Sequence, residues 1–175
     1  ERKPAHGMKI YNGSVERAEG CAFATDKWDY LLSRERPILG FASDDSHIYD
    51  DIGLGWIMVR AASRSPDAVA QAIFEGNFYS STGVTIRDIK RNGPVITVDT
   101  ADAREIWAIG SGGARKARVF GKRMVLDSSK FETAYLRFVA FGCGAAMAWN
   151  QPFFFNLLPQ DEDVSPFVAK WWMSG

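Results

Sequence analysis

The hydrophobic pattern of this 175-residue chain changes near residue 83, and this change constrains the fold more than any single motif. Before it, segments typical of short strands alternate with segments typical of helices; the strands are residues 8–12, 38–42 and 56–61, and the helices residues 26–34 and 66–75. After it, short apolar segments are separated by turns that contain Gly or Asp; these are residues 84–89, 95–100, 105–109, 118–124, 135–141 and 145–149. The pattern predicts an α/β part over residues 1–83, an antiparallel β-sandwich-like part over residues 84–158, and a tail over residues 159–175.

Two helix starts can be predicted from capping residues. Ser65 is followed by Pro66 and an acidic first turn, which predicts Ser65 as the N-cap, and Gly76 is suited to end that helix. Asp26 is the expected N-cap of the earlier helix. The change from alternating helices and strands to strands alone predicts the α+β class.

Charge and composition exclude several classes of protein. Lys plus Arg equals Asp plus Glu at 21 each, so the chain has no electrostatic footprint for nucleic acid or an anionic membrane surface. No apolar run approaches the roughly 20 residues needed to cross a bilayer. The two cysteines, Cys21 and Cys143, are too few for a disulfide framework, and they leave the cellular compartment undetermined.

Asp45 and His47 are the strongest candidates for chemistry. They lie in residues 40–47 (GFASDDSH), where a short apolar strand leads into a polar loop. On an extended segment, side chains two positions apart project on the same side, so a carboxylate oxygen and an imidazole nitrogen can bind one cation at about 2.0–2.2 Å. These ligand types favour Zn, Mn or Fe over calcium.

The same loop also permits interpretations without a metal. Asp44 is expected to cap the turn, and Asp50 and Asp51 are typical of a solvated acidic edge. If His47 does bind a metal, Asp44 or Asp50 is the expected acceptor for its other ring nitrogen. Two protein ligands are too few, since a catalytic zinc site usually has at least three. The tripeptide on its own therefore predicts a metal site only weakly.

A longer series of segments resembles a known family. The segments are residues 7–12 (GMKIYN), 28–32 (WDYLL), 40–47 (GFASDDSH), 53–57 (GLGWI) and 76–83 (GNFYSSTG). In this order they resemble the carboxy-terminal part of the PHP (polymerase and histidinol phosphatase) superfamily of metal-dependent phosphoesterases. Residues 148–152 (AWNQP) are similar to part of the extension that some bacterial members carry after the barrel.

The resemblance implies a fold, a cofactor and a reaction. It implies part of a distorted β/α (TIM-like) barrel with two or three divalent metal ions, which hydrolyses small phosphorylated substrates with metal-activated water. Asp45 and His47 match the family's last metal motif, Asp-x-His. The positions expected to contact a metal ligand or the substrate are Asp44, Asn12, Tyr11 and Arg60. A turn at Asn12 is at least as ordinary an interpretation, and at Arg60 a solvated strand end is favoured over a phosphate contact.

The chain also departs from the family. The early His-x-His metal motif is missing, His6 matches no family ligand, and Lys9 stands where relatives often have Glu. We therefore expect a fragment with an incomplete active site, whose exposed sheet edges would be covered in a homo-oligomer. Two alternatives stay open: a non-catalytic module that binds carbohydrate or protein through its β-rich part, and a structural remnant.

Overall fold

The computed structural model of the chain describes residues 6–155. It contains three α-helices, α1 (Gly13–Glu19), α2 (Thr25–Leu32) and α3 (Pro66–Phe74). The strands of the first half are β1 (Gly7–Asn12), β2 (Leu39–Ser43), β3 (Trp56–Val59) and β4 (Phe78–Ser81). The later strands are β5 (Ile86–Asn92), β6 (Val95–Thr100), β7 (Glu105–Gly110), β8 (Ala114–Phe120), β9 (Arg123–Asp127), β10 (Tyr135–Phe141), β11 (Met147–Asn150) and β12 (Phe153–Phe154).

The strands form three sheets. The central sheet has the order β3-β4-β11-β10-β7-β8, with β12 paired to β10, and every pairing in it is antiparallel. The antiparallel sheet β5-β6-β9 covers one part of the fold, and β1 and β2 form a separate parallel pair. The α+β class and the sandwich-like part are confirmed.

Strand β10 is buried on both faces because it lies between two hydrophobic clusters. Leu136, Phe138 and Ala140 belong to the cluster that includes the three-stranded sheet, whereas Tyr135 and Val139 belong to the cluster that includes β1 and α2. This alternation follows from the period-2 geometry of a strand. The parallel pair with α2, the central sheet and the three-stranded sheet therefore form three packed layers.

The capping predictions had different outcomes. Ser65 caps α3, with its hydroxyl accepting a hydrogen bond from Ala68 N–H at 3.3 Å, as predicted. The prediction of Asp26 as the N-cap of α2 is wrong, since Trp28 N–H already donates to the carbonyl of Ala24. Ala24 N–H in turn donates to Ile10 O on β1, so a tertiary contact sets the start of this helix.

The predicted strand over residues 118–124 is wrong. The chain turns at Gly121, whose φ of +122° favours glycine, and the two sides of the turn are β8 and β9. β8 pairs with β7 in the central sheet, whereas β9 pairs with β6 in the three-stranded sheet. The turn thus connects two layers.

The expected boundary at residue 83 does not separate two sheets. β3 and β4 from the first part pair with each other, and β4 pairs with β11 from the second part. Within residues 6–155, parallel pairing is confined to β1 and β2, so these residues show no TIM-like barrel segment. The predicted tail, residues 159–175, lies outside the described residues. No helix in residues 6–155 is long and apolar enough to cross a membrane.

Candidate functional site

The carboxyl ends of β1 and β2 bring the candidate residues together. These strands are parallel, and Asn12 pairs with Ser43 at their last positions. The chain beyond β1 meets the chain beyond β2 there, and Ser14 N–H donates to Asp44 O at 2.8 Å. Gly13 permits this approach, since a Cβ atom at that position would lie 3.2 Å from Asp44 O and 2.5 Å from Cβ of Leu54. In open α/β structures, ligands bind at this end of the strands.

Two side chains of β1 bind the Asp45 carboxylate. Asn12 donates from Nδ2 to Oδ2 at 2.8 Å, and Lys9 Nζ lies 3.2 Å from the same oxygen. Residues three positions apart in a regular strand point to opposite faces. Between Lys9 and Tyr11 the register shifts, because β1 has one extra residue in its pairing with β2. This bulge reverses the alternation and lets both side chains reach Asp45.

The backbone of Asp45 adopts a left-handed conformation, with φ of +54°. β2 has already ended at Ser43, whose hydroxyl accepts a hydrogen bond from Asp45 N–H at 3.1 Å. The premise of an extended Asp-x-His segment is therefore wrong. The hydrogen bond from Asn12, followed by that from Lys9, holds the pKa of Asp45 below its usual range.

His47 is exposed, and its position is set through the backbone. Asp51 accepts hydrogen bonds from the N–H groups of His47 at 2.8 Å and Ile48 at 3.1 Å. The other carboxylate oxygen of Asp51 accepts from Arg17 Nε at 2.8 Å. These contacts lower the pKa of Asp51, with the His47 N–H making the largest contribution. The expectation of a solvated Asp51 is wrong, because its side chain is buried.

The Asp44 side chain stabilises the loop through hydrogen bonds to the backbone. Its two oxygens accept hydrogen bonds from Gly53 N–H at 2.9 Å and from Gly55 N–H at 2.6 Å. Both carboxylate oxygens thus bind backbone N–H groups of the turn that precedes β3. This arrangement agrees with the turn-capping interpretation of Asp44.

Tyr11 lies in the core, and Arg60 lies just beyond the end of β3. Tyr11 is buried, with its ring 5.3 Å from that of Phe23 and 6.0 Å from that of Trp149, and burial raises its pKa. Arg60 follows β3, five residues beyond Gly55, which places it about 16 Å along the strand from the Asp44 contacts. Among the positions expected to contact a metal ligand or the substrate, Asn12 donates a hydrogen bond directly to Asp45.

The residues present match only part of a metal site. A carboxylate and an exposed imidazole on one loop have the ligand chemistry of Zn, Mn or Fe. Among residues 6–155, however, no three His, Cys, Asp or Glu side chains are grouped closely enough to hold a metal ion together. The oxygen of Asp45 that faces β1 already contacts the Lys9 ammonium. His6, the other histidine, has its ring 5.4 Å from the ring of Phe74. The described part of the chain therefore lacks a complete metal centre.

A cleft of about 290 Å³ lies elsewhere, between the β3–β4 edge and β5. Its apolar wall includes Met58 and Tyr79, and Asn77 contributes a buried amide. The Oδ1 atom of Asn77 has no hydrogen-bond partner among the described residues, whereas its Nδ2 donates to Glu75 at 2.9 Å. No sequence motif marks this cleft, which is lined by residues from β3, β4 and β5.

The sequence reasoning also missed a buried ion pair between Asp29 on α2 and Arg137 on β10. Arg137 Nε and Nη2 each donate to one oxygen of Asp29 at 2.6 Å, and the Tyr135 hydroxyl donates to Asp29 at 2.7 Å. Both oxygens of Asp29 are occupied, and burial raises the pKa of Tyr135. The interaction joins α2 to the central sheet.

Comparison with known families identifies a segment around this loop. Residues 31–78 match a family model described as PHP-associated (PHP_C). No curated protein and no solved structure matches the chain. The matched segment contains Asp44, Asp45, His47 and Asp51. The chain therefore contains a PHP-associated region, as the sequence resemblance implied.

Proposed function

We propose, from the PHP-associated region at residues 31–78, that this chain is part of a metal-dependent phosphoesterase that acts on small phosphate esters. Asp45 and His47 would supply two ligands of a divalent metal centre, and the remaining ligands would come from outside residues 6–155. β1 and β2 would be parallel strands of a PHP-type barrel. The open edges of this pair would be covered by a second copy of the chain or by further chain segments.

The observation that carries this proposal is the position of Asp45. Its carboxylate and the exposed His47 follow a strand whose carboxyl end adjoins the end of a parallel neighbour. Functional groups of α/β proteins lie at this end of their strands. The side chain of Asp45 is 41% exposed, so one carboxylate oxygen remains accessible beside the oxygen that Asn12 and Lys9 contact.

The residues of this chain would position the ligands. Asp51 would hold the backbone at His47, and Asp44 would hold the loop against the start of β3. Asn12 would fix the orientation of the Asp45 carboxylate and keep it ionised, since a hydrogen bond to the charged form favours that form. A bound metal ion would lower the pKa of a water molecule and neutralise charge on phosphate oxygens.

Metal binding by the full chain tests this proposal. Isothermal titration with Zn²⁺ and with Mn²⁺ should detect weak binding, because two protein ligands are fewer than a complete site provides. Asp45→Ala and His47→Ala should each abolish it. Asp50→Ala is the matched control, since Asp50 is an exposed carboxylate on the same loop.

Hydrolysis of p-nitrophenyl phosphate provides the second measurement. We expect little or no turnover by this chain alone, and an increase when the missing part of the domain is supplied in trans. Binding that survives both Asp45→Ala and His47→Ala would show that the metal is held elsewhere, which contradicts the assignment of these two ligands.

A second candidate is a binding function at the cleft beside β5. An apolar wall with one buried, unpaired amide oxygen is typical of a site that takes a small ligand with a hydrogen-bond donor, such as a sugar hydroxyl. Saturation-transfer NMR with a panel of simple sugars tests it. Met58→Arg should block binding and Phe120→Ser, on an exposed residue of β8, should not; the absence of any signal would eliminate this candidate.

A further inference from the structure

We propose that the cleft beside β5 binds a small organic anion, with Arg60 and Arg87 on its charged group and the apolar wall of the cleft on its body. This inference rests on the second candidate function, which places ligand binding at this cleft, and it adds the charge of the ligand. Two sheets carry the two arginines, because Arg60 follows β3 of the central sheet and Arg87 lies in β5 of the three-stranded sheet.

A bulge in β5 sets the position of Arg87. The pairing of β5 with β6 shifts in register between Ile86 and Asp88, so Arg87 is an extra residue in β5. In a regular strand Ile86 and Ile89 would point to opposite faces, yet both pack in the same hydrophobic cluster. The bulge therefore lets β5 keep its apolar side chains in the core while Arg87 is exposed at the cleft.

The backbone of Arg60 is fixed on the other side of the cleft. Its N–H donates to the carbonyl of buried Asn77 at 2.8 Å, which continues the β3–β4 pairing by one step. Met58, which is 46% exposed, lies two positions earlier and pairs with Tyr79 of β4. Side chains two positions apart in such a segment project to the same side, so Arg60 adjoins the apolar wall that Met58 and Tyr79 form.

The charges that line the cleft favour an anion. Two guanidinium groups face one carboxylate, that of Asp88, whose Oδ2 lies 2.8 Å from the Lys90 ammonium. The chain as a whole is neutral, so this positive charge is a local feature. Guanidinium groups bind carboxylate and phosphoryl groups through pairs of parallel hydrogen bonds. The volume of about 290 Å³ is at the lower end of the range for small-molecule sites, which suits a ligand with a single ring.

Titrations of the full chain with a matched pair of ligands test the charge. 4-Hydroxybenzoate and 4-hydroxybenzamide share a ring and a hydroxyl group that can donate to the Asn77 oxygen, but only the first is an anion. In heteronuclear NMR spectra, 4-hydroxybenzoate should shift the amide signals of Tyr79 and Ile89, with a Kd about tenfold lower than that of the amide. 4-Hydroxyphenylphosphonate, titrated in the same way, distinguishes a carboxylate site from a phosphoryl site by which anion binds more tightly.

Substitutions of the arginines test their role. Arg87→Gln and Arg60→Gln should each raise the Kd of 4-hydroxybenzoate, removing most of its preference over the amide, and should leave the Kd of 4-hydroxybenzamide unchanged. Arg87→Lys keeps the charge and should retain most of the affinity. Arg123→Gln is the matched control, because it removes an exposed arginine of β9 that is not among the residues lining the cleft.

The outcomes separate the charge of the ligand from the existence of the site. Equal affinity for 4-hydroxybenzoate and 4-hydroxybenzamide would refute the anion and leave ligand binding at the cleft standing. If neither ligand binds, or if both shift only signals outside the cleft, the anion and the second candidate function are both refuted. An equal loss of affinity in Arg123→Gln and Arg87→Gln would also overturn the proposal, because it would indicate attraction by surface charge alone.

Discussion

Asp29 and Asp45 are carboxylates with similar partners in different surroundings. Each contacts one basic side chain and one neutral hydrogen-bond donor, namely Arg137 and Tyr135 for Asp29, and Lys9 and Asn12 for Asp45. The side chain of Asp29 is only 8% exposed and both of its oxygens are occupied, whereas the side chain of Asp45 is 41% exposed and its partners share one oxygen.

This difference separates a structural carboxylate from one that is available for binding. A buried ion pair loses little to solvent screening, but it requires that every partner be kept, since an unpaired buried charge is costly. A half-exposed ion pair contributes little to stability, and another cation can displace its basic side chain. Substitutions at the two sites should therefore affect different properties, stability at Asp29 and cation binding at Asp45.

Asp29→Asn should have the largest effect on stability. It leaves the guanidinium of Arg137 buried without its counter-charge, which typically costs about 3–5 kcal/mol. Urea denaturation followed by tryptophan fluorescence measures the loss. Asp26→Asn, in the first turn of the same helix, is exposed and should change stability by less than about 0.5 kcal/mol. Equal effects of the two substitutions would contradict the structural role of Asp29.

Asp51→Ala should loosen the loop that carries His47 without unfolding the protein. It removes the acceptor for the N–H groups of His47 and Ile48 and the partner of Arg17. Hydrogen exchange at these two amides should accelerate about tenfold, because local opening then exposes groups that are hydrogen-bonded in the wild type. Unchanged exchange in Asp51→Ala would show that Asp51 does not hold the loop. Asp50→Ala is the control and should leave the exchange of both amides unchanged.

Two substitutions of Asn12 separate its role as the N-cap of α1 from its hydrogen bond to Asp45. Asn12→Ala removes the N-cap of α1 and the donor to Asp45, and should cost about 1 kcal/mol. Asn12→Asp keeps an acceptor for Val15 N–H but places a second carboxylate beside Asp45, so it should destabilise less and bind Mn²⁺ more tightly than Asn12→Ala. Thermal unfolding and Mn²⁺ titration of both variants measure these two effects. Tighter Mn²⁺ binding by Asn12→Ala than by Asn12→Asp would refute the proposal that a cation can reach the Asp45 carboxylate.

The smallest expected effect is the loss of stability at acidic pH that comes from Asp45. Asn12 and Lys9 lower the pKa of Asp45 in the folded state, so its contribution to stability is complete above the pKa of the unfolded chain, about 3.9, and is lost as pH falls through the lower folded-state value. A carbon-13 NMR titration of the carboxyl group should show this pKa move upwards in Lys9→Met. An unchanged titration would indicate that Lys9 and Asp45 do not interact in solution.

The sequence predicts strands well where alternation is complete. Residues 95–100 and 135–141 are strands with the predicted bounds, because both show uninterrupted alternation or apolar character between clear turns. α1 was missed, since Asn12-Gly13 has the composition of a turn and the helix has only seven residues. Gly121 was missed as a turn because apolar residues on both sides continue the strand pattern.

Local sequence predicts only part of the candidate site. The parallel ends of β1 and β2 bring Asn12 to Asp45, a proximity that an α/β pattern predicts. The position of Lys9 depends on a bulge that no composition rule marks, and the left-handed backbone of Asp45 depends on the loop that Asp44 and Asp51 hold. Such features arise from tertiary contacts.

The most direct test of the proposed function asks whether a divalent cation binds at Asp45 and His47. Mn²⁺ broadens the NMR signals of nearby nuclei, so a heteronuclear spectrum of the full chain with substoichiometric Mn²⁺ identifies the residues around it. We predict selective broadening of the amide signals of Asn12, Asp45 and His47. Broadening centred on other acidic residues, with these three signals unaffected, would contradict the proposed function.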